Sequence, residues 1–114
     1  MNYDGRWIQE AIAKSCGLDR KADEKAIDRV VYKWTTCGAW VRFDEHGVIV
    51  GTIVEGSDAE FSERIELDGL DDMDQKEAEK ELCERFWDAL ERMEQDAEYE
   101  WECVHDDGYE YRGI

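Results

Sequence analysis

Carboxylates are the one reactive group that this chain holds in excess. Thirty-one Asp and Glu stand against fourteen Lys and Arg in 114 residues, a formal charge of −17. Carboxylates can serve as general acids and bases, or they can present negative charge to a basic partner. Acid–base chemistry needs a pair set apart from the rest, and among so many acids pairs arise from composition alone. The other chemical groups are sparse. His46 and His105 each fall beside acids in turn-like stretches, and Cys16, Cys37, Cys83 and Cys103 include no CxxC pair. Their spacings match no common zinc pattern. There is no glycine-rich phosphate loop and no HExxH. The expectation is a protein with no catalytic residue, no metal and no cofactor, and therefore not an enzyme.

The acid is unevenly placed. Residues 1–43 carry eight basic and six acidic side chains, whereas residues 44–114 carry six basic and twenty-five acidic. Five Trp, five Tyr and clear hydrophobic periodicity exclude disorder as its cause. Four groups stand out. The stretch "LDGLDDMD" holds Asp68, Asp71, Asp72 and Asp74. Glu77, Glu81, Glu84, Asp88 and Glu91 step by three and four residues, which lines them up on one helical face over roughly 21 Å. A strand carries Glu60, Glu63 and Glu66. The C-terminal "EYEWECVHDDGYEYRGI" brings Glu98, Glu100, Glu102, Asp106, Asp107 and Glu110.

The elements that must position these groups follow from period. Trp7, Ile8, Ala11 and Ile12 give a first helix from Arg6 to about Cys16, stopped by Gly17 and Leu18 in a Schellman pattern. Ala22, Ala26, Ile27, Val30, Val31 and Trp34 give a second, over 22–34. The period then changes to two. Short strands are expected near 39–44, 48–55 and 60–67, turning at Asp44-Glu45-His46-Gly47 and Gly56-Ser57-Asp58-Ala59. A long helix over 74–96 follows, capped by Asp74 with Glu77 at N3, its apolar stripe made of Ala78, Leu82, Phe86, Ala89, Leu90, Met93 and Ala97. Residues 98–104 fit two periods. Trp101 and Val104 extend the helical stripe, but Trp101 precedes Gly108 as Trp40 precedes Gly47, and this favours a second hairpin. The fold class expected is α+β in one domain over 1–114, with N-terminal helices, a three-stranded antiparallel meander, a long amphipathic helix and a C-terminal β-hairpin. Trp40, Phe43, Val50, Ile53, Leu82, Phe86 and Leu90 are the expected core.

No apolar run approaches the ~20 residues of a membrane span, and no signal peptide opens the chain, so a cytoplasmic domain with reduced thiols is expected. Rows of unmixed acid cost stability through self-repulsion, which implies a basic groove on another macromolecule as their target. In size, charge and element order the chain resembles the acidic DNA-mimic inhibitors of phages and mobile elements, the anti-CRISPR and anti-restriction proteins. That resemblance implies occupancy of the nucleic-acid groove of a CRISPR effector, restriction enzyme or other nuclease, in the cytoplasm of the host. The charge of −17 predicts no direct DNA binding, since duplex DNA repels it, and the lack of a long apolar run predicts no membrane partner. Two other functions fit the same composition. One is an immunity or antitoxin-like protein covering a basic nuclease toxin. The other is a helix-turn-helix regulator, for which Gln9, Ala13, Gly17 and Leu18 have the right spacing, although Asp23 stands where that motif needs an apolar residue.

Overall fold

A computed structural model describes residues 5–54 and 59–112, with the backbone alone for 101 and 103–112. Helix α1 spans Gly5–Ser15, α2 Glu24–Trp34 and α3 Gln75–Arg112; strands β1 Trp40–Asp44, β2 Gly47–Ile53 and β3 Glu60–Arg64 form an antiparallel sheet in the order β1-β2-β3. The fold is α+β, with the meander in its expected place.

The local stops are those that the residue types dictate. Gly17 adopts φ 76°, and the N–H groups of Leu18 and Gly17 donate to the carbonyls of Ala13 and Lys14 at 3.0 Å, a Schellman closure of α1. Asp23 caps α2 by accepting the Ala26 N–H. The position that spoils a helix-turn-helix thus has a structural use, and residues 16–23 make a longer connection than the three or four of that motif. Between β1 and β2, Asp44 faces Gly47 across a two-residue turn and accepts the His46 N–H at 2.8 Å. Of the second expected turn, Gly56–Asp58 lie outside the described residues.

Pairing fixes which side chains share a face. Val41 lies opposite Val50, Phe43 opposite Val48, and Thr52 opposite Phe61, so these point to the same side. Both α1 and α3 pack on β2 on that side. Ala78, Leu82, Phe86, Ala89, Leu90, Met93 and Ala97 of α3 are all buried, with Ile8 and Ile12 of α1, and Ile27 and Val31 of α2. Helix α2 runs beside β1, whose open edge is closed locally where Val41 N–H donates to Asp28 Oδ1 at 2.8 Å.

Two expectations about the core fail on parity. Trp40 and Ile53 are one and three residues from the inward Val41 and Val50, so both fall on the outer face of the sheet. Ile53 is 62% exposed. Trp40 instead lies over Gly51, where a Cβ would come within 2.1 Å of its ring, and Arg42 sits 4.9 Å from the ring centroid.

The larger correction concerns the C-terminus. Residues 98–112 continue α3 and form no hairpin. At 1.5 Å per residue the helix is about 57 Å long, nearly the whole 61 Å of the molecule's greatest extent. Its last buried residue among those with described side chains is Ala97. The apolar period of Met93, Ala97, Trp101 and Val104 therefore outweighed the correspondence of Trp101 to Trp40.

Phe86→Ala should cost about 3–5 kcal/mol of unfolding free energy. Ile53→Ser should change stability by no more than about 0.5 kcal/mol. Urea titration of both variants checks the assignment, and a large loss at Ile53 would contradict the outward face.

Candidate binding surface

The capped start of α3 already uses one of the surface acids. Asp74 Oδ1 accepts the Glu77 N–H at 2.8 Å and its carbonyl accepts the Ala78 N–H at 2.9 Å. Asp68, Asp71 and Asp72 lie in the loop before it, around a 3₁₀ turn at Leu70–Asp72 that follows Gly69 at φ 86°. One guanidinium ties this loop to the helix. Arg85 Nη1 donates to the carbonyls of Glu66 and Asp68 at 2.9 Å each, while its Nε pairs with Glu81 at 3.1 Å.

Along the face expected to be acidic, Glu77, Glu84, Asp88 and Glu91 are at least partly open to solvent, and Glu81 is half-buried in its Arg85 pair. The acids of β3 are not a separate unmixed patch. Glu63 pairs with Arg92, whose guanidinium pKa is raised first by that bond and further by Asp88 and Asp96. The cleft of about 320 Å³ between β3 and α3 mixes Glu63, Glu66 and Asp88 with Arg64, Arg85 and Arg92. On the outer face, Arg64 donates two hydrogen bonds, at 2.8 and 2.7 Å, to the Asp44 carboxylate, and this holds the Asp44 pKa at about 2 against an ordinary 3.8. Where the helix lies on the body, the signs are mixed: residues 75–92 hold six acids and four Lys or Arg, and Glu79 and Glu81 pair with Lys14 and Arg85.

Beyond Arg92 that balance ends. No Lys or Arg follows until Arg112. Because α3 is continuous, Glu98, Glu100 and Glu102 share one helix with Glu77–Glu91, and the backbone of Asp106, Asp107 and Glu110 lies on it too. At 100° per residue Glu98 and Glu102 fall within about 60° of the Glu77 direction, which lengthens the acidic face to roughly 37 Å. Spacing matters here. A row at every third or fourth residue gives a charge per about 5 Å of axis, sparser than the roughly 3.4 Å of one DNA strand. Glu94, Asp96, Glu98, Glu100 and Glu102 recur every second residue, or about 3 Å of axis. That density is close to the strand's. Their directions form two rows, Glu94/Glu98/Glu102 and Asp96/Glu100, flanking the stripe of Met93 and Ala97.

Sequence reasoning missed Glu94 and Asp96: both lie inside the expected helix 74–96, but about 100° to either side of the Glu77 direction and so off the expected acidic face. The period of Met93, Ala97 and Trp101 was the signal that could have included them. Among the described residues, no three His, Cys, Asp or Glu are gathered so as to hold a metal ion, and no helix is long and apolar enough to cross a membrane. The Cys16 thiol is pushed up to about 11 by burial, and burial also raises Cys83, which donates to the Ala11 carbonyl at 3.5 Å. Such thiols are poor nucleophiles at neutral pH.

Arg85→Met should cost about 1–3 kcal/mol, because two loop carbonyls lose a charged donor. Faster amide exchange at residues 66–70 would report the loosened loop, and an unchanged loop would refute its tether. For Asp44 the sign follows from its depressed pKa. Its pair with Arg64 stabilises the fold fully above about pH 4, and that contribution is lost as pH falls towards 2. Asp44→Asn should therefore lower the urea midpoint at pH 6 and leave it unchanged well below pH 2.

Compared with family models, curated proteins and solved structures, the chain gives no match.

Proposed function

We propose that this protein is an inhibitor that lays the acidic C-terminal half of α3 into the nucleic-acid groove of a basic protein, such as a CRISPR effector, restriction enzyme or other nuclease. One observation carries the reading. A single helix presents carboxylates at about the axial density of one DNA strand over residues 94–102, with no Lys or Arg among them. Because α3 is continuous, the axial spacing of these charges is set by the helical rise of about 1.5 Å per residue. Like charges held this close repel in the free protein, and a basic groove relieves that repulsion.

The protein acts by occupancy, in the cytoplasm where its target meets nucleic acid. It uses no cofactor, turns over no substrate and does not bind DNA itself, since its own charge repels phosphates. Long-range attraction speeds the encounter and is screened over roughly 8 Å at physiological ionic strength.

The experiment is capture of partners from host lysate on the immobilised chain, followed by elution with duplex DNA and, separately, with salt. Release by both is the expected outcome. A partner released by salt but never by DNA would reassign the protein to the immunity type, which covers a nuclease without imitating its substrate. The variant Glu98→Gln/Glu100→Gln/Glu102→Gln should weaken capture at least about 10-fold, as loss of desolvated charge contacts requires. The variant Asp4→Asn/Glu10→Gln/Asp19→Asn makes the same change in net charge and should have little effect. Equal losses would show that only total charge matters and would remove the proposed surface.

A further inference from the structure

The C-terminal end of α2, the end of β2 and α3 enclose an open groove of about 530 Å³. Its composition is unusual for this surface. Tyr32 and Ile53, two large apolar side chains at 63% and 62% exposure, stand at its walls, with Val54 and Ala97. Among the described residues, Glu94 and Glu98, one turn apart on α3, are the charged groups that line it. Lys33, in the last turn of α2, is exposed and does not line the groove.

The groove is also shaped by fixed backbone. Gly38 adopts φ 65°, and a Cβ there would meet the Tyr32 ring at 2.9 Å, so the ring lies against bare backbone. Thr52 Oγ1 donates to the Cys37 carbonyl at 2.9 Å, joining β2 to the loop after α2. Thr36 N–H donates to Glu94 Oε1 at 3.3 Å, which links the same loop to α3. The groove lies at the negative pole of the α2 dipole. An aromatic ring, two carboxylates and a helix C-terminus in one place all favour a cation.

We infer that this groove binds one arginine side chain presented by the basic partner, with its stem against Ile53 and Ala97 and its guanidinium shared between Glu94 and Glu98. Arginine fits better than lysine. Its planar fork can meet two carboxylates and stack on Tyr32, and it gives up hydration more readily than an ammonium. The inference deepens the proposed function and rests on it, because the groove adjoins the acidic rows and would fix the register in which they dock. Buried anchors of this kind carry much of an interface's energy while the surrounding charges steer.

The test is a titration of the ¹⁵N-labelled full chain with acetyl-Leu-Arg-Leu-amide and with its citrulline counterpart, which keeps the shape and loses the charge. The arginine peptide should shift the amides of Thr36, Gly38, Ile53 and Ala97 saturably, and citrulline should bind at least about 10-fold more weakly. Glu94→Gln/Glu98→Gln should weaken the arginine peptide by a similar factor. The amide oxygen that this variant places at position 94 can still accept the Thr36 N–H, so the groove keeps its shape. Tyr32→Leu is a second, independent variant and should weaken binding several-fold. Equal binding of citrulline, or shifts spread along the Glu77–Glu91 face, would overturn the inference. The two readings also fail separately. Loss of groove binding with DNA-competed capture intact removes the anchor alone, and saturable groove binding without DNA-competed capture removes the mimicry alone.

Discussion

The structure depends on one seam, the apolar stripe of α3 from Ala78 to Ala97 against the inner face of the sheet and α1. Phe86, Leu82 and Leu90 are its bulk, and they share one core with residues from each of the other layers. An acidic helix has little reason to stay ordered by itself, since like charges one turn apart oppose it. Burial of this stripe gives roughly 1.5–3 kcal/mol for each large side chain, against a few tenths for each repulsive pair. The apolar contribution wins where the body lies beneath the helix. The same seam fixes the direction of everything that follows Ala97.

Cations are distributed along α3 in keeping with that balance. Arg85 and Arg92 stand where the helix lies over the body, and both reach across to fasten it, Arg85 to the loop carbonyls and Arg92 to Glu63. They work as clamps more than as screening charge. Past the clamps the helix carries acids with no further Lys or Arg before Arg112. A surface shaped only for solubility would gain by mixing signs throughout, and the first half of α3 does mix them. The unmixed segment begins at Glu94, one turn before Ala97, the last buried residue among those with described side chains.

Much of the scaffold was legible because short-range chemistry determines it. Gly17 with Leu18 stops α1, Asp74 caps α3, and Asp44 with Gly47 closes the hairpin, each through contacts within a few residues. The α3 stripe was legible for the same reason, as its period of about 3.6 lies along one element. The core of the sheet was harder. Trp40 and Phe43 have opposite parity, as do Val50 and Ile53, so no flat strand could bury all four; hydrophobicity was weighed above period two. Gly51 is the residue that reveals the outer face, because only a missing Cβ lets Trp40 lie there, and that relation crosses strands. Residues 98–104 carried both periods at once. Alternation of Glu with Tyr99, Trp101 and Cys103 is as compatible with a helix whose acids flank a stripe as with a strand, and the choice rests on continuity with a helix already anchored upstream.

That continuity changes what the acids can do. A hairpin would have given two separate patches, one on the helix and one on the hairpin, each free to serve a different contact. One helix makes a single ruler, in which the distance from Glu77 to Glu102 is set by about 25 rises of 1.5 Å and not by loop geometry. The groove at Glu94 and Glu98 lies partway along that ruler, at the last turn packed on the body. On the inference drawn above, a partner seated there meets the acidic rows in a defined register, and a partner without a group to seat meets only diffuse charge. Charge alone attracts any basic protein, nucleic-acid-binding or not. Under the proposed function, selectivity depends on the body that holds the ruler's base, because Tyr32, Gly38 and Ile53 come from α2, its following loop and β2, and it is their packing that places an apolar wall beside two carboxylates.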